Sequence, residues 1–440
     1  MPEGAADLPV CYANCDGLVR RGRVIGLSSS SVRVSLPGAR PGDIVSIAPR
    51  QRKPVLAEVR AVAQDEVVCS ALSDVGDVVV GAPATCVRAR SSSYVGPSLL
   101  GQAVDAWGRG PDAEPAIVRD CTVERSPLNE RRSVQDVLWT GIPAIDAFCT
   151  LGLGQRVGLF SGAGVGKSTL LRCIAERSAC DAQVIGLIGE RAREAAELIG
   201  WLRRSRRWPV TTVVCATAAA SPMERLAAAR TAVSQAEWLR DLGCHVVLAI
   251  DSLTRVANAW REIALGAGEA PAHRGHPASM TSVLAGIVER AGVTKDGSIS
   301  GIFAVLVDGD DPFEPVSDAV RGLLDGHIML SRGLAEAGCF PPVDVLRSVS
   351  RIMPLVVSPA HARDAALLRK ALASLEKAED LFAIGAYQRG GDPWLDACVD
   401  VRERMQAWLF QDLTSAAPPA ALHELAAELR RATGLPLNQA

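Results

Sequence analysis

Apolar and polar residues change their rhythm along the chain, and each rhythm predicts a different kind of element. From about Val10 to Arg90 the apolar runs are short: RGRVIGL (21–27), SSVRVSL (30–36), DIVSIAP (43–49), LAEVRAV (56–62) and EVVCSAL (66–72). Gly, Pro and Asp occur in the gaps between them. Closely spaced strands with turn residues between them predict a small barrel or sandwich. The stretch SSSYVGPSLLGQAVDAWGRGPDAEP (91–115), leading to SPLNERRS (126–133), is rich in Ser, Gly and Pro and reads as a domain boundary.

From Trp139 onward the strands become runs of consecutive apolar residues: QRVGLF (155–160), VIGLIG (184–189), TTVVCA (211–216), HVVLAID (245–251) and GIFAVLV (301–307). Helix-length segments lie between them. Apolar strands interleaved with helices predict a parallel sheet covered on both faces. After about Pro359 the period is helical throughout, in residues 363–387, 392–410 and 418–434, with Pro and Gly breaks. The expected units are residues 1–92, 93–358 and 359–440.

Composition narrows the function classes. At 440 residues the chain is long enough for two or three domains of roughly 100–200 residues each. With 48% hydrophobic and 22% charged residues, disorder is excluded. Lys and Arg number 47 against 49 Asp and Glu, a net charge of −2, which argues against a protein built to coat nucleic acid. Aromatics make up only 4%, so Ala, Val and Leu must build the cores. The longest uncharged stretch, Trp208 to Met223, is short of the ~20 residues a membrane helix needs and contains Pro209 and Pro222. The start carries Glu3 and Asp7 where a secretory leader would be basic and then apolar, so an intracellular location is expected. The 12 cysteines lack metal-ligand spacing; Cys11 and Cys15 form at most half a site, and all are read as small buried hydrophobes.

The decisive chemistry lies in residues 158–169, GLFSGAGVGKST, where an apolar strand runs into a Gly-rich loop and then a helix. Gly162, Ala163, Gly164, Val165 and Gly166 can turn backbone N–H groups toward phosphate oxygens, aided by the helix N-terminus that continues through Thr169. Lys167 would reach the β- and γ-phosphates of ATP and the Ser168 hydroxyl would ligate Mg2+. The pattern departs from G-x-x-x-x-G-K-[ST] at one position, where Ser161 stands for Gly; its small side chain leaves the loop intact.

Two acids follow. Asp251 closes the apolar strand 245–251, a placement suited to holding Mg2+ beside phosphate, although such an Asp can also merely cap the next helix. Glu190 ends another strand, where open α/β sheets keep their active sites and a carboxylate can polarise water. Equally, Glu190 to Glu194 can be a solvated first helical turn favoured by the dipole.

Taken together, the chain resembles the ATPases of bacterial type III protein secretion, a family that includes the flagellar export ATPase and is related to the catalytic subunit of F-type ATP synthases. The resemblance is carried by residues 99–112, 140–146, 152–171, LIGERARE (187–194), 246–280, 315–332, FPPVDVLRSVSRIM (340–353) and IGAYQRGGDP (384–393). It implies a RecA-like P-loop motor domain with an N-terminal β-barrel and a C-terminal helical domain, and a homohexamer with ATP between subunits. It further implies that Glu190 is the general base, that Arg191 lies near the γ-phosphate, that Arg351 reaches in trans to the neighbour's nucleotide, and that Phe340, in place of the commoner Tyr, stacks on adenine. The implied partners are a stalk, regulator proteins and chaperone–cargo complexes, with the inner membrane reached only through protein. The motor motifs are common to virulence-type and flagellar exporters.

Two other classes fit less well. An RNA-translocating hexamer would need clustered aromatic and basic residues in the N-terminal unit, and these are missing. A nucleotide-sensing or structural ring would not need Lys167, Glu190, Asp251 and Arg351 together. The one basic run, Arg203, Arg204, Arg206 and Arg207, reads as the solvated end of an amphipathic helix. His273 and His276, in the Gly-rich loop 266–277, read as loop hydrogen-bonders rather than metal ligands.

Overall fold

The computed structural model describes residues 20–28, 31–49, 54–73, 75–88, 92–110, 117–120, 130–307, 314–410 and 420–433. The start of the chain, with Glu3 and Asp7, and Cys11, Cys15 and Cys121 lie outside these residues. Strands β1 (Arg21–Leu27), β2 (Ser31–Ser35), β3 (Ile44–Ile47), β4 (Val55–Ala63), β5 (Glu66–Ala71) and β6 (Pro83–Arg88) close an antiparallel barrel in the order β1-β2-β5-β4-β3-β6. The sequence left barrel and sandwich open at this point, and closure of β1 on β6 decides for the barrel. Val24, Val34, Val45, Ile47, Val59 and Val67 fill its interior.

The second unit is a sheet in which β7 (Gln102–Val104), β8 (Arg156–Ser161), β9 (Ala182–Glu190), β10 (Thr211–Thr217), β11 (His245–Asp251), β12 (Ser298–Leu306), β13 (Gly326–Leu330) and β14 (Val343–Ser350) lie in the order β14-β13-β8-β12-β11-β9-β10-β7. All neighbours on this path are parallel except β13 and β14. Alternate residues serve opposite faces, as the pleat requires. Ile185, Leu187, Val247 and Ala249 join one core, and Val184, Ile188, Leu248 and Ile250 join the other. Positions 184–189 of β9 and 246–250 of β11 are therefore apolar or glycine throughout, because both faces are covered.

Helices α1 (Lys167–Arg177) and α2 (Ala192–Leu202) cover the first face, and α3 (Pro222–Asp241) and α4 (Leu253–Gly266) cover the second. Ser221 and Glu224 form a capping box ahead of α3, with Pro222 in its first turn. The C-terminal helices α5 (Pro359–Lys377), α6 (Pro393–Leu409) and α7 (Ala420–Thr433) do not build a separate core: Leu368, Trp408 and Leu425 join the first-face cluster. Among the described residues no helix is long and apolar enough to cross a membrane.

Three sequence readings are refined. The stretch taken as a boundary contributes β7, paired with β10 through Gln102–Thr212, so it is part of the sheet edge. The basic run follows the end of α2 as expected, with Arg203, Arg204 and Arg206 exposed, but Arg207 is half-buried and donates to the Cys180 carbonyl at 2.6 Å. Of the described cysteines, Cys69, Cys149, Cys173 and Cys398 are buried, whereas Cys86, Cys180, Cys215, Cys244 and Cys339 are only half-buried.

Burial and the neighbouring Cys86 push the Cys69 thiol up to about 12. At pH 8 its reactive thiolate fraction is then about 10⁻⁴. A maleimide should label Cys339 in the folded protein and leave Cys69 unlabelled until denaturant is added, as read by peptide mass spectrometry.

Candidate nucleotide site

Strand β8 delivers the chain into the Gly-rich loop, and α1 starts directly after it. Gly164 and Gly166 have φ of +77° and +98°, a left-handed conformation that lets the loop fold back on itself. The Gly166 N–H region opens α1 as its N-cap. Ala163, Gly164 and Ser168 are exposed, Gly166 and Thr169 are half-buried, and Gly162 and Val165 are buried beneath. The concave loop thus presents its backbone to solvent. The ring of Phe340 lies against it: a Cβ placed on Gly166 would sit 3.6 Å from Phe340 Cε1. Phe340 keeps 38% of its surface exposed, which leaves a ring face available to a planar ligand.

Three charged groups meet below the loop, at the carboxyl ends of β9 and β11. Register places Leu187 opposite Asp251, so Glu190 and Asp251 leave neighbouring strands on the same edge. Lys167 reaches into this edge, where its ammonium pairs with the Asp251 carboxylate and lies 3.6 Å from Glu190 Oε1. Asp251 is 2% exposed and Glu190 8%. Arg255, in the first turn of α4, donates from Nη2 to Glu190 Oε2 at 3.2 Å.

Burial holds the Glu190 carboxyl above the ordinary glutamate range, with the Asp251 charge adding to the effect and Lys167 and Arg255 opposing it. Glu190 Oε1, Ser161 Oγ and Ser252 Oγ are buried and have no hydrogen-bond partner among the described residues. Unmade hydrogen bonds of this kind cost about 1–3 kcal/mol each unless something completes them. They suit a site finished by bound phosphate and water.

The sequence assigned no role to Arg255. Its signal was its spacing, four residues after Asp251, which is one helical turn into the element that the acid opens. The same spacing is found in many structural ion pairs, so only the contact with Glu190 gives it meaning. The helical-turn alternative for Glu190 is removed, because Glu190 is the last residue of β9 and the helix starts at Ala192.

Two candidate residues stand apart from the cluster. Arg191 is exposed and pairs with Glu194 at 3.3 Å. Arg351 is exposed at the opposite edge of the sheet: Ser350 pairs with Gly326, the first residue of β13, and β13 runs parallel to β8. In the loop 266–277, His273 is exposed, but His276 is buried with Nδ1 unpartnered, and burial lowers its pKa. His276 and Pro277 are buried, whereas the rest of the loop is exposed or half-buried.

The implied Mg2+ fits this donor set: an exposed hydroxyl at Ser168, in the first turn of the helix that follows the loop, and a buried carboxylate at Asp251, which pairs with the adjoining Lys167. Among the described residues no cluster of three His, Cys, Asp or Glu could hold a metal by itself. A cation held by two protein oxygens and substrate phosphates is the usual arrangement for magnesium.

Fold and site together define a P-loop ATPase with a parallel-sheet nucleotide-binding core. The nucleotide-binding domain of the ATP synthase alpha/beta family matches residues 141–350, and the type III secretion EscN ATPase C-terminal domain matches residues 357–428. The SPI-2 type 3 secretion system ATPase of Salmonella typhimurium is 39% identical over 416 residues, covering 94% of this chain and 95% of the relative. The flagellum-specific ATP synthase of Bacillus subtilis is 37% identical over 433 residues, 96% and 98%. The assembled ATPase EscN of the enteropathogenic E. coli type III secretion system superposes with a TM-score of 0.87 at 34% identity, covering 94% of this chain and all of that one. The same ATPase in complex with its central stalk EscO gives 0.83 at 34% identity, 93% and 99%. The chain belongs to the type III secretion ATPase family, which the flagellar export ATPases share.

Proposed function

We propose that six copies of this chain form a ring that hydrolyses ATP at the interfaces between subunits and thereby drives chaperone release and cargo unfolding at the base of an export apparatus. The units are 1–92, 93–358 and 359–440. The observation that carries the reading is the division of the machinery between two edges of one sheet. Lys167, Glu190 and Asp251 meet at the carboxyl edge, while Arg351 projects from the amino edge. This separation supports a role for Arg351 at a neighbour's nucleotide and not at its own.

Within a site, Gly162 to Gly166 offer backbone N–H groups to the phosphates, and Phe340 offers its ring face to adenine. On nucleotide binding, Lys167 exchanges Asp251 for the β- and γ-phosphate oxygens. Mg2+, when bound through Ser168 and Asp251, supplies neutralisation of phosphate charge. Glu190 accepts a proton from the water that attacks the γ-phosphorus as the bond to the ADP oxygen breaks. The neighbour's Arg351 stabilises charge on the equatorial oxygens, an effect worth about 10³–10⁵ in rate. Arg191, exposed at the start of α2, is available to the γ-phosphate once it leaves Glu194.

EscN's central stalk supports a stalk partner for this ring. With no spanning helix among the described residues, contact with the inner membrane runs through regulator and apparatus proteins, and the ring works on the cytoplasmic side.

The test mixes two inactive variants. Arg351→Ala lacks the finger and Glu190→Gln lacks the base, but an interface between them holds one intact site. Turnover should return in a mixture shown to co-assemble, and continued inactivity would count against action in trans. Specific activity of the native chain should also climb steeply with protein concentration, because each site exists only in the assembly.

A further inference from the structure

The amino edge that presents Arg351 is pinned by a buried side chain that the proposed mechanism does not use. Gln155, directly before β8, is 1% exposed. Its Oε1 accepts from the Gly152 N–H at 2.9 Å, and its Nε2 donates to Ser350 Oγ at 3.0 Å and reaches the Asp325 carbonyl at 3.5 Å. The Ser350 hydroxyl in turn donates to the Thr150 carbonyl at 2.9 Å and accepts from the Met353 N–H at 3.2 Å. Arg351 donates its own N–H to the Asp325 carbonyl at 2.9 Å. The Asp325 carboxylate is gripped by the next residue of the chain, Arg156, through its backbone N–H at 3.0 Å and through Nε and Nη2 at 3.1 Å each.

Residues 155 and 156 thus fix the backbone on both sides of the Ser350–Arg351 link. A buried amide is costly unless its hydrogen bonds are made, and when they are made it specifies one arrangement. A leucine would fill the same space and specify none. Rate is sensitive to such placement, since a shift of about 1 Å in a transition-state contact can cost about 10²-fold.

We infer that Gln155 is a positioning residue for the reaction in the neighbouring subunit, holding the backbone from which Arg351 reaches across. This rests on the trans role of Arg351 given above. Strand β8, which Gln155 precedes, spans about 17 Å at ~3.3 Å per residue and ends in the chain's own phosphate loop. One rigid strand therefore joins the nucleotide a subunit holds to the arginine it lends.

The test places Gln155→Leu on each partner of the Arg351→Ala and Glu190→Gln mixture in turn. Productive interfaces there take the arginine from the Glu190→Gln chain. On that chain Gln155→Leu should lower kcat about 10- to 100-fold with KM for ATP unchanged. On the Arg351→Ala chain it should leave kcat within about twofold. Equal losses from both placements, or no loss from either, overturn the inference. Where Gln155→Leu prevents co-assembly, Ser350→Ala on the arginine-lending chain cuts the same link and must give the same asymmetry. Failure of the parent mixture to recover activity refutes the trans arginine itself, whereas recovery that is indifferent to Gln155 refutes only its positioning role.

Discussion

Lys167→Ala is expected to abolish measurable ATP turnover and, separately, to weaken the fold. The catalytic loss follows from taking away a preorganised cation aimed at phosphate oxygens, and removal of one such donor costs about 10²–10³ in kcat. The structural loss follows from the ion pair with Asp251, which is almost fully buried. Removing one partner of a buried pair leaves an uncompensated charge and costs about 3–5 kcal/mol. The urea midpoint should therefore drop in Lys167→Ala and recover in Lys167→Ala/Asp251→Asn, while turnover stays absent in both. A double variant that regained turnover would remove Lys167 from the phosphate site, and a single variant as stable as the native chain would remove Asp251 as its resting partner.

The fold was legible where burial on two faces dictates composition. Strands β8 to β12 carry runs of consecutive apolar residues because helices cover both sides, so the parallel sheet could be read directly. The antiparallel β14 was not predicted as a strand, although VDVLRSVS alternates as a half-buried strand does. The barrel could not be separated from a sandwich, because both use period-two strands and differ only in whether β1 meets β6. That pairing is a long-range event without a local signature.

In the site, the P-loop was legible because its backbone geometry demands glycines at fixed spacing. Asp251 and Glu190 were legible only as acids at strand ends; what unites them is their adjacency in the sheet, which sequence order hides. Arg255 went unassigned because a charge one turn into a helix has many structural uses. Arg351 became meaningful through strand direction: β14 runs against its neighbours and so ends at the edge opposite the phosphate loop.

Glu190→Gln should bind nucleotide with near-native affinity and lose hydrolysis by about 10²–10⁴-fold, the usual worth of a positioned general base. The substitution keeps the volume and the contact with Arg255 but removes the proton acceptor. The native pH profile carries an independent signature. As pH falls, Glu190 takes up a proton and ceases to act as base. Because burial first, and Asp251 second, hold its carboxyl above the ordinary glutamate range in the free site, the acidic limb of kcat/KM, which reports the free enzyme, should lie above that range. Arg255 and Lys167 favour the ionised form, so Arg255→Gln must move that limb to still higher pH while leaving the fold in place. A limb that moves down, or does not move, would show that Arg255 does not act on the base; full hydrolysis by Glu190→Gln would show that the base lies elsewhere.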